Sequence, residues 1–316
     1  MPAVDVQQLD APIVQAGMGG ISGHELAAAV SGAGGLGTIA GVGVDIAGEI
    51  AAARELSDRP IAVNLLLPFL RPGDADAASH ADAIVTFWGE PRRLAAGTWI
   101  HQCGSVQEAN AAAAAGADAV IAQGVEAGGH VRGTTRVLEL LERVRAAVNI
   151  PVLAAGAIVD ADGVRAALDA GAAAAVVGTR FLLSDESRAH ADYKRRCIDA
   201  RETLLTELFG LAWPDAPHRV IPNAATRRWL RGDPRGPGWI RAANRLTAPL
   251  ARRIPPAVQE RVAKTQRAGQ PFLGPRPPSA SDPPNLVDSG PLYAGVGVAR
   301  IGDVRPAAGL VAALTP

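Results

Sequence analysis

The stretch AQGVEAGGHVRG, residues 122–133, places an amide, a carboxylate, a glycine pair and a histidine directly after an apolar run. Glycines let a backbone pass close to a bound molecule. A histidine beside them titrates near neutral pH, which makes His130 the candidate catalytic base. Asn64 and Gln123 are amides at the ends of apolar segments. A buried amide must find partners, so these two either satisfy loop backbone or read the mixed donor and acceptor edge of a heterocycle. Gly156 and the Gly178-Thr179 pair follow two later apolar runs. They either make tight turns or leave backbone N–H groups facing an anion such as a phosphate. Gln15, Gly17, Met18, Gly19 and Gly20 follow the first run, and Arg180 follows the last. Glu126 is a candidate for orienting loop backbone or a substrate.

The other histidines read differently. His101 lies in a strand-like segment and is expected to be structural, and His24 to start a helix. His80, His190 and His218 sit in polar surroundings and are expected to face solvent. Cys103 and Cys197 share no metal-like spacing and form no disulfide framework. No His/Cys/Asp cluster has ligand spacing, so no catalytic metal is expected.

These residues need elements to hold them. Short apolar runs at 12–18, 35–41, 60–68, 83–89, 97–104, 118–124, 150–158 and 173–181 read as strands. Most are separated by Ala-rich helical segments, at 24–34, 45–56, 75–82, 106–116, 135–148 and 160–170. Strands apolar on both faces and separated by helices suit a parallel sheet. Eight such units predict an α/β fold of the closed (β/α)8 TIM barrel type, with ligands bound at the C-terminal ends of the strands. An open doubly wound sheet is the alternative, but GMGGISG after the first strand lacks the GxGxxG spacing. From residue 189 the texture changes. HADYKRRCIDARETLLTELFG reads as helix, and 213–290 is rich in Pro, Arg and Gly. The predicted organisation is a barrel over 1–188, a helical and Pro/Arg-rich insertion over 189–290, and a return over 291–316 with a closing helix.

Bulk properties restrict the function. The chain has 316 residues, 48% hydrophobic, with 31 basic and 31 acidic side chains. Zero net charge gives no electrostatic argument for nucleic acid or membrane as partner. Neither a leader pattern nor an 18-residue apolar span is visible, so a cytoplasmic location is expected.

The segments PIVQAGMGGISGHELAAAVSGAGGLGTI, VNLLLP, AQGVEAGGHVRG, PVLAAGAIVDADGVRAALDAGA, VVGTRFL and LYAGVGV, with AWPDAPHRV at 212–220, resemble the nitronate monooxygenases, once called 2-nitropropane dioxygenases. That resemblance implies a flavin mononucleotide (FMN) at the barrel mouth. Asn64, Gln123 and Gly128 would contact it, and Gly156, Val177, Gly178 and Thr179 would hold its phosphate. Gly17 and Met18 would lie beside it; Gly17 stands where the family usually has proline. His130 would take a proton from a nitroalkane or anchor a nitronate. The implied reaction oxidises alkyl nitronates with O2 to a carbonyl compound and nitrite, with a homodimer as the candidate assembly. An FMN-dependent NAD(P)H reductase, of the enoyl-acyl-carrier-protein or quinone reductase kind, is the rival on the same scaffold. A colourless barrel acting on a phosphorylated metabolite is a more distant one.

Overall fold

A computed structural model describes residues 4–251, 254 and 256–316. Met1–Ala3 of the N-terminus, and Arg252, Arg253 and Pro255 of the Pro/Arg-rich stretch, lie outside the described residues.

The strands are β1 (Ile13–Gln15), β2 (Gly37–Ala40), β3 (Ile61–Leu66), β4 (Ala83–Phe87), β5 (Thr98–Cys103), β6 (Ala119–Gln123), β7 (Gly129–His130), β8 (Val152–Ala155), β9 (Ala175–Val177), β10 (Leu204–Thr206) and β11 (His218–Val220). Eight of them form one parallel sheet in the order β1-β9-β8-β6-β5-β4-β3-β2. A parallel bridge between Val14 and Leu36 joins β1 to the β2 edge. Gln15 N donates to Leu36 O at 2.9 Å, and Leu36 N to Ile13 O at 2.9 Å. The sheet is therefore a (β/α)8 barrel, as the spacing of apolar runs predicts.

Period-2 alternation explains why the strands are apolar throughout. Val14, Ala62, Val85, Ile100, Ile121, Leu153 and Val176 pack together inside the barrel. Their neighbours Ile13, Trp99, Val120, Val152 and Val177 face the helices, as do Val63 and Ile84 on the other side. The helices begin where capping side chains permit. Asp45, Ser105 and Asp160 accept the backbone N–H of Gly48, Glu108 and Gly163, so that helices run over Ile46–Leu56, Val106–Ala114 and Ala161–Asp169.

After β9 only one short turn of helix follows, Thr179–Leu182. The chain then leaves the barrel and returns to lay Ala307–Leu314 against the helix His24–Gly32 and against Ala161–Asp169. Ala307, Leu310, Val311 and Leu314 are buried in the same core as Ile13, Leu26 and Val164.

The segment from 189 is less helical than its sequence suggests. Helix covers only Ala191–Asp199, and Leu204–Thr206 is a strand. It pairs antiparallel with β11, which pairs antiparallel with β7. The pairing partner decides the matter here, because three residues carry little preference of their own.

Candidate functional site

Alternation along each strand sorts the three amides. Asn64 follows inward-facing Ala62 by two positions, and Gln123 follows inward-facing Ile121 by two. Both therefore sit in the inner row at the C-terminal end of the barrel. Gln15 follows outward-facing Ile13, and its Oε1 accepts the Thr38 N–H at 2.9 Å. That amide stitches β1 to β2 on the outer side.

The inner amides are partly engaged. Asn64 Nδ2 donates to Val85 O at 3.3 Å. Gln123 Nε2 donates to His130 O at 2.9 Å, and its Oε1 accepts from Arg132 N at 3.4 Å. Gln123 thus shapes the loop that carries His130. Glu126 holds the same loop from below: its Oε2 accepts the Val137 N–H at 3.0 Å and its Oε1 the Arg136 Nε–H at 3.1 Å. It fixes the start of helix Val137–Ala147.

Two glycines are fixed by close approach. A Cβ at Gly17 would stand 2.4 Å from Asn64 Cβ, and one at Gly128 would stand 2.6 Å from Ala294 C and Gly295 N. The loop after β1 therefore packs on Asn64, and the loop after β6 packs on the returning chain. Met18 closes the first of these loops, with its N–H donating to Ser22 Oγ at 2.8 Å.

Gly156 and Gly178 follow the adjacent strands β8 and β9. Around Gly178 the space is open, with Ala16 Cβ at 3.6 Å from a built Cβ. Thr179 Oγ1 accepts the Gly295 N–H at 3.0 Å, which leaves its hydroxyl hydrogen free to donate. Val177 lies in β9 with its carbonyl accepting from Ala16 N at 2.9 Å. Arg180 turns away from this spot: its guanidinium binds the Asp303 carboxylate at 2.8 Å and the Asp303 carbonyl at 2.9 Å.

His130 lies in β7, opposite His218 of β11. Its Nε2 is buried and has no hydrogen-bond partner among the described residues. Its ring stacks on Trp213, with centroids 3.8 Å apart and planes 19° apart. Trp88 and Phe69 meet the Trp213 indole edge-on at 5.2 and 4.8 Å, and Tyr293 flanks His130 at 5.5 Å. Burial first, and then the neighbouring His218, hold the His130 pKa well below the usual imidazole value. The ring is therefore neutral at pH 7.

Three sequence-based expectations about histidines meet the structure differently. His101 is buried, as its strand suggests, and its Nδ1 bonds to Thr86 Oγ1 at 2.8 Å. His24 does begin a helix. His218 does not face solvent: it is fully buried, 5.1 Å from the His130 ring. Its Nδ1–H donates to Ala216 O at 2.9 Å, and its Nε2 accepts from Phe209 N at 3.3 Å. Period-2 alternation in β11 turns His218 in while its neighbour Arg219 points the other way, to Val125 O at 2.7 Å. Sequence reasoning also missed the aromatic roof. The available signals were the tryptophan just past β4 and the one in AWPDAPHRV.

A parallel barrel with a histidine nitrogen buried beneath aromatic rings, strand-end amides and an open glycine after β9 at one mouth defines an enzyme of the (β/α)8 class. Comparison with known proteins narrows this. A family model described as nitronate monooxygenase matches residues 2–99 and 91–316. A nitronate monooxygenase of Pseudomonas aeruginosa is 36% identical, over 68% of this chain and 79% of that protein. A (3aS,4S,5R,7aS)-5-hydroxy-7a-methyl-1-oxo-octahydro-1H-indene-4-carboxyl-CoA dehydrogenase of Mycobacterium tuberculosis is 33% identical, over 70% of this chain and 65% of that one. The solved structure of a nitroalkane oxidase from Streptomyces ansochromogenes superposes with a TM-score of 0.73 at 32% identity, covering 98% of this chain and 96% of that one. The chain belongs to the nitronate monooxygenase family, whose members are flavin-dependent oxidoreductases.

Proposed function

We propose that the protein binds FMN at the barrel mouth and oxidises alkyl nitronates with O2 to carbonyl compounds and nitrite. The observation that carries this reading is the unpartnered, buried Nε2 of His130, set among inner-row amides. A buried imidazole nitrogen with no partner costs free energy unless a ligand supplies one. The acidic C–H of a nitroalkane would do so, and once the ring has taken that proton a nitronate oxygen would accept from Nε2–H.

The residues at the mouth fit a flavin mononucleotide. Gly178 leaves open space beside Ala16, and the Thr179 hydroxyl hydrogen is free. With Val177 and Gly156 at the ends of neighbouring strands, these would receive the phosphate. The first N–H groups after Gly178 have no acceptor within their own turn of helix. Asn64 and Gln123, with Gly128, would border the ring system, and Gly17 and Met18 would lie beside it. When bound, the flavin supplies the electron-transfer chemistry that no side chain can.

The protein's own part is proton handling and exclusion of water. At rest His130 is neutral, so Nε2 can receive the proton of a neutral nitroalkane. The nitronate formed is an anion, and a negative charge beside an imidazole raises its pKa. Proton and substrate charge are thereby held as a pair. Trp213 and Trp88 cover the ring, with Phe69 behind Trp213, which strengthens that pairing by keeping the dielectric low. General-base catalysis of this kind contributes about 10²–10⁴-fold. His130→Asn should therefore lower turnover of a neutral nitroalkane by about that factor while bound FMN remains and a preformed nitronate is still oxidised. Undiminished turnover of the neutral substrate would remove His130 from the role.

A further inference from the structure

Zero net charge conceals a segregation. Residues 227–267 contain eleven Arg and Lys against two Asp and Glu, a net +9, so the other 275 residues carry −9. The same stretch forms the helices Gly238–Ala251 and Pro256–Lys264. The first buries Ile240, Asn244 and Ala248 on one face, at 1, 1 and 4% exposure. On its other side Trp239, Leu246 and Leu250 are 56, 83 and 69% exposed. At about 100° per residue these three fall within about 20° of one line. The second helix exposes Val258 and Val262, and Phe272 stands exposed 6.4 Å from Trp239. Single exposed apolar residues are ordinary, but an aligned stripe on a basic ground is not.

We propose that this face docks on a lipid bilayer with anionic headgroups. Leu, Trp and Phe in a row beside arginines are what an interfacial helix inserts and what it pairs with phosphates. Arg227, Arg228 and Arg231 are exposed on the same lobe, and Arg228 lies over the Trp229 ring at 5.4 Å. A second copy of this chain is the poorer occupant: even with Asp215 paired to Arg245 and Glu207 beside Arg241, an isologous contact would set one net-basic face against another. Nucleic acid would use the arginines and leave the leucines without a partner. Among the described residues no helix is long and apolar enough to cross a membrane, so the contact is peripheral, with the 14-residue helix lying along the surface. Trp213, which stacks on His130, belongs to the same excursion of the chain outside the barrel. The inference is independent of which reaction the His130 site performs.

The test is co-sedimentation of the full chain with vesicles of phosphatidylcholine alone, or with about one-third phosphatidylglycerol. Binding should be at least about tenfold stronger to the anionic vesicles and should fall at least about tenfold between roughly 50 and 500 mM NaCl. The double variant Leu246→Glu/Leu250→Glu changes only exposed positions. It should keep the thermal transition and bind about tenfold or more weakly. Replacing Arg227 and Arg231 by Gln should weaken binding by about fivefold for each charge removed. Equal partition to both vesicle types, or none to either, would overturn the proposal. So would tight binding to duplex DNA that the leucine variant retains, or a dimer that the leucine variant dissociates.

Discussion

The buried histidines make stability fall steeply on mild acidification. Burial lowers the pKa of His101 from 6.5 to about 4, and that of His218 from 6.5 to about 4. Hydrogen bonding shows why neither ring welcomes a second proton. Trp99 Nε1–H donates to Thr86 Oγ1 at 2.7 Å, and the Thr86 hydroxyl in turn donates to His101 Nδ1. Phe209 N–H points at His218 Nε2. Protonating His218 Nε2 would set donor against donor, and protonating His101 Nδ1 would deprive the Thr86 hydroxyl hydrogen of its acceptor. The unfolded chain titrates near 6.5 and so binds more protons than the folded protein between about pH 6.5 and 4. Stability from these groups is fully present above that window and is lost as pH falls through it. From pH 7.5 to 5.0 each histidine should cost ~2 kcal/mol, and the pair ~4 kcal/mol. His130 is shifted in the same direction and steepens the decline. Urea unfolding at the two pH values reads the difference directly, and pH 5.0 lies above the range where carboxylates such as Asp282 lose their contribution. His218→Gln removes one titrating group and should shrink the pH difference by ~2 kcal/mol. An unchanged difference in that variant, or a wild-type protein as stable at pH 5.0 as at 7.5, would show that these rings take up protons as readily folded as unfolded.

Two further substitutions test the mouth. Gly128→Ala places a methyl 2.6 Å from the backbone of Ala294 and Gly295, so it should cost ~1–3 kcal/mol and lower the Tm by several degrees in a melting scan; an unaltered Tm would show that the returning chain does not pack there. Gly178→Asp has room for its Cβ, so it should fold normally yet lose FMN on gel filtration through charge repulsion with the phosphate; a normal flavin content would place the phosphate elsewhere.

Much of the barrel was readable because its strands are apolar on both faces and its helices begin at Asp45, Ser105 and Asp160. The predicted and observed strands differ mainly by overhang into loops. What the sequence hid is what tertiary pairing creates. β7, β10 and β11 are two or three residues each and exist because they pair with one another. The inward turn of His218 depends on that pairing, and so does the stacking of Trp213 on His130. The amides were recognised as positions needing partners, but only alternation against a known interior separates inner-row Asn64 and Gln123 from the outer Gln15. Total charge was equally blind to the +9 held by residues 227–267, since a sum over the chain contains no position.

The proposed oxidation of nitronates with FMN at the mouth is open to direct measurement. Its most direct test mixes the oxidised, FMN-loaded protein with propionate 3-nitronate or with NADH in the absence of oxygen, following absorbance at the flavin band. That band should be lost with the nitronate and persist with NADH. Rapid loss with NADH alone, and none with the nitronate, would contradict the proposed oxidation and make the protein a reductase on the same barrel.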